Sequence, residues 1–216
     1  MKIGFCGTMS VGKSTLVNAL KELPEFKDYY FATERSKYLR DLGIPLNTDS
    51  TLKGQTIFLA ERCSELMREN VITDRTIIDV MAFTHCAESI DKVDKEEFIR
   101  YASMFIKEYD YVFYVSPIGV EIEDNGVREI DSKYRDAIDE TIVALINRFP
   151  PKRLVNIKGT TEERIALVLE AFYKYLKVEK NYSENTIISY SKDLKMFEFD
   201  LMRVSKISNL AATPLK

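Results

Sequence analysis

Gly7-Thr8-Met9-Ser10-Val11-Gly12-Lys13-Ser14 constrains this chain more than any other stretch. It follows the apolar run Ile3-Gly4-Phe5-Cys6, which reads as a buried strand. It opens into Thr15-Leu16-Val17-Asn18-Ala19-Leu20, whose apolar side chains fall at helical spacing. Between strand and helix, two glycines let the backbone curl until successive N–H groups face an anion. The positive end of the new helix faces the same point. Lys13, at what reads as a solvent-facing helix start, adds a full charge over the outer phosphates. The Ser14 hydroxyl can enter the shell of a Mg²⁺ ion. The loop from Gly7 to Ser14, with Thr15 behind it, predicts binding of a nucleoside triphosphate.

The chain has 216 residues, 45 % hydrophobic and 30 % charged, enough to bury a full core as one domain with an appendage. A net charge of −3 gives no general attraction to nucleic acid or to an anionic membrane, though it excludes neither. Cys6, Cys63 and Cys86 lack metal-ligand spacing. Cys6 and Cys86 lie in apolar runs, so the expectation is buried, reduced thiols in a cytoplasmic protein. Met1 leads straight into the first strand, which leaves no room for a signal peptide, and no apolar stretch is long enough to span a bilayer.

Further strands are expected at 29–32, 71–74, 111–115 and 154–157. Helices are expected at 13–23, 34–42, 52–69, 77–87, 96–107, 132–148 and 161–178. The 52–69 helix reads as burying Ile57, Phe58, Ala60, Cys63, Leu66 and Met67. His85, in an apolar helix without a visible partner, reads as a packed core residue. Strands alternating with helices imply an α/β fold: a parallel sheet covered on both faces, with its site at the C-terminal ends of the strands.

Asp74 ends the third strand, beside the loop. There it can hold Mg²⁺ or take the proton from an attacking hydroxyl, or it can merely cap the helix that follows. Arg75 would then reach a substrate or transferring phosphate with its forked donors. Asp79, one turn into that helix, reads as facing solvent or supporting the cap. The polar stretch 121–131 contains Asp124-Asn125-Gly126-Val127-Arg128. With Arg135 beyond it, this stretch reads either as a lid closing over a triphosphate or as a solvated loop whose arginines pair with carboxylates such as Asp131.

Together, Gly7 to Ser14, Asp74-Arg75-Thr76-Ile77-Ile78-Asp79 and Asp124 to Arg128 with Tyr134-Arg135 resemble a family of small bacteriophage P-loop ATPase/kinase proteins. These are grouped with the nucleoside-kinase domain of NadR, which phosphorylates nicotinamide riboside. The resemblance covers residues 1–178 and implies a nucleoside-kinase-like three-layer sandwich whose five-stranded parallel sheet has the order 2-3-1-4-5. It also implies Mg²⁺-ATP as donor and a small-molecule acceptor, a nucleoside, nucleotide or similar metabolite. Lys13, Asp74, Arg128 and Arg135 would be catalytic, with Ser14 and Asp74 on the metal. Glu34 matches an acidic position of the group. It reads as an acceptor-binding carboxylate or as a helix-start residue stabilised by the macrodipole. Arg75 would also face the acceptor. A plain ATPase or a nucleotide-dependent regulator remains the alternative.

Residues 179–216 read as a C-terminal helical extension whose last residues, 211–216, are expected to be disordered. Ser183 caps an amphipathic run carrying Ile187, Tyr190, Leu194 and Phe197 on one side. This run is similar to the first helix of the DNA-core-binding (SAM-like) domain of tyrosine recombinases, which would bring DNA in as a partner. A terminal helix packed on its own core is the simpler reading.

Overall fold

Short β-branched and aromatic runs alternate with amphipathic ones, and each folds as its period dictates. The computed structural model describes residues 1–33, 35–118 and 132–179. In chain order it contains β1 (Lys2–Cys6), α1 (Lys13–Lys21), β2 (Tyr30–Ala32), α2 (Ser36–Asp41), α3 (Leu52–Glu65), β3 (Val71–Asp74) and α4 (Ile77–Cys86). These are followed by α5 (Lys92–Ser103), β4 (Tyr111–Val115), α6 (Ser132–Arg148), β5 (Leu154–Ile157) and α7 (Thr161–Glu179). All strand pairs are parallel, and the sheet order is β2-β3-β1-β4-β5. This is the three-layer α/β arrangement and the strand order that the family resemblance implied.

The period-two pleat sorts the sheet into two faces. Ile3 is level with Ile72 and Tyr111, and Phe5 with Asp74 and Phe113, so these residues share one face. There the Phe5 and Phe113 rings stack with centroids 5.2 Å apart, and α1 buries Leu16, Val17 and Leu20. The opposite face supplies Cys6, Val71 and Val112 to a core completed by Leu59, Ile77, Met81, Ile99 and Ile138 from α3, α4, α5 and α6. The first two strands in the centre of the order, β1 and β3, both end beside the phosphate loop, which puts Cys6 and Asp74 at the same sheet edge.

Three expectations need correction. The buried side of α3 runs through Gly54, Gln55, Leu59 and Arg62, continuing to Leu66 just beyond its end, while Ala60 and Met67 are exposed. His85 is exposed, because it sits in the last turn of α4 on the side away from Ala82 and Thr84. Cys86 is only half-buried, with Sγ 3.5 Å from Thr141 Oγ1, whereas Cys6 is fully buried. In addition, α5 starts at Lys92, earlier than expected, because Asp91 accepts from the N–H groups of Val93 and Asp94.

Residues Met1–Ile165 form one compact unit and Ala166–Lys216 a second. Of the second, the described part is the continuation of α7, in which the Phe172 and Tyr173 rings meet edge-on at 5.6 Å. No helix among the described residues is long and apolar enough to cross a membrane. The expected amphipathic run from Ser183 and the terminal residues 211–216 lie outside the described residues.

Candidate phosphate-binding and catalytic site

The loop between β1 and α1 takes the shape its glycines permit. Gly12, at φ 81°, stands at the N-terminus of α1, and Gly7 fits so closely that a Cβ there would lie 2.6 Å from the Val115 carbonyl. Met9 and Val11 are buried in the core, so these two residues contribute backbone to the loop and anchor it with side chains. Thr8 is also buried, and its hydroxyl donates to the Arg135 carbonyl at 2.9 Å, tying the loop to the first turns of α6. Thr15 is exposed.

Lys13 is not solvent-facing. It is 6 % exposed, and its Nζ donates to the Gly7 and Thr8 carbonyls, both at 2.6 Å. The chain curls back over the start of α1 and encloses the ammonium. Burial, reinforced by the Arg75 charge, lowers its pKa to about 8, while Asp79 and Asp74 pull the other way.

Asp74 is buried at the end of β3, and Ser14 Oγ donates to its Oδ2 at 2.5 Å. The other carboxylate oxygen, Oδ1, is buried without a hydrogen-bond partner among the described residues. An orphaned anionic oxygen beside a hydroxyl is a hard-oxygen donor pair of the kind that suits Mg²⁺. Among the described residues no cluster of three or more His, Cys, Asp or Glu side chains could hold a metal by itself. The remaining ligands of a cation here would come from nucleotide and water.

Asp79 also departs from its expected solvent-facing position, though it does support the cap. It is fully buried, and its Oδ2 accepts from the Thr76 N–H at 2.7 Å and the Thr76 hydroxyl at 2.9 Å, forming a capping box for α4. Its Oδ1 accepts from the Gly7 N–H at 3.2 Å. One carboxylate therefore fixes α4 and the entrance of the loop together. Burial pushes its carboxyl upward, opposed by Lys13, Arg75 and the Thr76 bonds.

Arg75 adopts φ 91°, unusual for a residue with a Cβ, and its guanidinium lies 4.8 Å from the centre of the Phe83 ring. Such a backbone costs on the order of 1–3 kcal/mol and persists only where its surroundings enforce it. Here the Arg75 N–H donates to the Phe5 carbonyl at 3.1 Å, at the C-terminal edge of the sheet. Arg135 is buried at the start of α6. Glu34 and Arg128 lie outside the described residues, as does the polar stretch 121–131.

The sequence pattern did not reveal two contributors to this site. Arg62, buried on α3, donates to the Asp74 carbonyl at 3.3 Å and pairs with Glu65 at 2.7 Å. Asp139 on α6 accepts the Tyr114 hydroxyl on both oxygens at 2.9 Å, and burial raises its pKa.

A family model described as an AAA domain matches residues 2–164, and this chain belongs to that family. A second model, the N-terminal SAM-like domain of phage integrases, matches residues 169–213. No curated protein sequence matches the chain. Among solved structures, deoxyadenosine kinase from M. mycoides with bound dCTP is 18 % identical, with a TM-score of 0.57. That match covers 81 % of this chain and 100 % of that one. The YorR protein from Bacillus subtilis, in complex with phosphorylated GDP, is 16 % identical with a TM-score of 0.54, covering 84 % and 99 % of the two chains. NadR in complex with NAD and AMP-PNP is 17 % identical with a TM-score of 0.62; 82 % of this chain matches 49 % of that one, about half its length. At these identities the likeness is one of fold.

Proposed function

We propose that this protein is an ATP-dependent phosphotransferase acting on a nucleoside, nucleotide or similar small metabolite. The observation that carries the proposal is the joining of Lys13, Ser14 and Asp74 at one point. A buried ammonium is held on two loop carbonyls, next to a hydroxyl–carboxylate pair with one orphaned oxygen. Neighbours of the same fold support this reading, since one is a deoxyadenosine kinase with bound dCTP and another is NadR in complex with NAD and AMP-PNP.

In this reading the backbone N–H groups of Gly7 to Ser14 cradle the triphosphate at the positive end of α1. Lys13 moves its ammonium from the Gly7 and Thr8 carbonyls onto the β- and γ-phosphates. Ser14 and Asp74 would hold Mg²⁺, which offsets phosphate charge. Glu34 and Arg75 orient the acceptor, and Asp74 or Glu34 takes the proton from its hydroxyl. That oxygen attacks the γ-phosphorus as the bond to the β-phosphate oxygen breaks and ADP leaves. Arg128 and Arg135 neutralise the charge that develops on the transferred group. The test is transfer of labelled γ-phosphate to a panel of acceptors.

The match at residues 169–213 favours a second reading, a nucleotide-dependent regulator that meets DNA through its C-terminal part. The mixed charge of that part, with Glu184, Asp193 and Glu198 among its lysines, gives it little grip on phosphates. Sub-micromolar, sequence-specific DNA binding at physiological salt, measured by fluorescence anisotropy, would favour the second reading. Weak and strongly salt-sensitive binding favours the first.

A further inference from the structure

The turn between β5 and α7 reaches the phosphate loop through a single side chain. Thr160 and Glu163 bond reciprocally, the Thr160 N–H to Glu163 Oε2 at 2.9 Å and the Glu163 N–H to Thr160 Oγ1 at 3.3 Å. The Arg164 N–H donates to the Thr160 carbonyl at 3.1 Å, which completes a rigid first turn of α7. From that turn Arg164, only 6 % exposed, extends its guanidinium to the Val11 carbonyl, with Nη1 at 2.6 Å. Its Nε is buried without a partner among the described residues. Burying a guanidinium against one neutral acceptor is costly, and capping a surface turn does not require it.

The geometry of a trans peptide gives the contact its meaning. The carbonyl of one residue and the N–H of the next point in opposite directions. Holding the Val11 carbonyl toward Arg164 therefore turns the Gly12 N–H the other way. Gly12 stands at the N-terminus of α1, immediately before Lys13, and a Cβ added there would lie 3.1 Å from Arg164 Nη1. The guanidinium lies directly against the peptide whose orientation it sets.

We propose that Arg164 is a positioning residue for the phosphate loop: by pinning the Val11 carbonyl it presents the Gly12 N–H to the bound phosphates. The proposal rests on the phosphate-loop reading above. Arg164 acts on the ligand only through the Val11–Gly12 peptide. Its effect is therefore the same for every ligand that places phosphates in the loop, whatever base that ligand carries.

The test is calorimetric titration of the full chain and of R164M and R164K with Mg-ATP, Mg-GTP and Mg-tripolyphosphate. In R164M all three dissociation constants rise by one common factor, about tenfold, as expected for loss of one charge-assisted hydrogen bond. R164K, which keeps a charged donor, recovers most of that loss. Wild-type affinity for all three ligands in R164M overturns the proposal. So does a loss for ATP and GTP that leaves tripolyphosphate unchanged, because it would mean a contact on the base side. If R164M lacks the wild-type far-ultraviolet dichroism, R164Q replaces it under the same criteria. A wild-type protein that binds none of the three ligands overturns the phosphate-loop reading and the proposal together.

Discussion

Ser14 and Asp74, sixty residues apart in sequence, share a hydrogen bond of 2.5 Å that joins the first turn of α1 to the end of β3. The bond occupies one oxygen of Asp74 and leaves Oδ1 buried and unpartnered among the described residues. The pair thus combines a preorganised hydroxyl with an anionic oxygen that still lacks a partner, beside the Lys13 ammonium. Asp74→Asn keeps the shape and the Ser14 contact but loses the charge. We expect kcat to fall by about 10² or more, with the nucleotide dissociation constant within about threefold of wild type. Steady-state kinetics beside calorimetric titration check this, and wild-type turnover at saturating Mg²⁺ would reduce Asp74 to a structural partner of Ser14, since Thr76 and Asp79 already cap α4.

Lys13 makes nucleotide binding pH-dependent. Its pKa in the folded protein is about 8 against an ordinary 10.5. Between those values the unfolded chain holds more protons, so this group's contribution to stability rises with pH across that window. Binding runs the other way. An anionic ligand needs the charged form, so affinity falls as pH rises through about 8, approaching tenfold per pH unit well above it. Titrations near pH 8.5 in buffers of different ionisation enthalpy should register proton uptake on binding. Lys13→Met should bind at least about tenfold more weakly, show no uptake and keep its melting temperature. The burial of Lys13 makes Lys13→Ala the poorer variant, since it would leave space around the Gly7 and Thr8 carbonyls.

Asp79 carries a stability prediction. Its two oxygens accept three donors from Thr76 and Gly7. In Asp79→Asn one of those oxygens becomes an NH₂ group that faces a donor. The expected loss is on the order of 2 kcal/mol in urea unfolding. A midpoint unchanged from wild type would mean that the capping box contributes little to holding α4 on the loop.

How far the sequence revealed this arrangement depended on the distance over which each residue finds its partners. The loop from Gly7 to Ser14 was legible because strand, glycines, lysine and helix follow one another without a break. Asp74 was legible because it closes a short apolar run. Arg62 was not, because its charge and that of Glu65 interrupt the apolar template. The true inner line of Gly54, Gln55, Leu59, Arg62 and Leu66 is half polar. Asp79 looked like a solvent or cap residue because the Gly7 N–H that helps to bury it lies seventy-two positions away. Arg164 carried no signal in the sequence, since the Val11 carbonyl it bonds is supplied from the far end of the chain. His85 misled in the opposite sense: its apolar neighbours are buried, but it turns outward on the same helix.

The arginines after β4 should act in the transition state. Arg128→Ala and Arg135→Ala are expected to lower kcat by about 10², with little change in ATP dissociation constant, because they neutralise charge that appears only as the phosphoryl group transfers. The Thr8 contact to Arg135 uses the backbone carbonyl and survives the substitution. Normal turnover in both variants would mean that these arginines only pair with carboxylates, which would favour a plain ATPase.

Phosphoryl transfer to an acceptor is what separates a kinase from a plain ATPase at this site. The most direct measurement incubates the protein with Mg²⁺ and γ-labelled ATP over a panel of nucleosides, nucleotides and nicotinamide riboside, separating labelled acceptor from labelled orthophosphate. We expect one or a few acceptors to take up the label faster than it is released to water, with transfer abolished in Lys13→Met. Label released only as orthophosphate whatever acceptor is present, or no consumption of ATP at all, would contradict it.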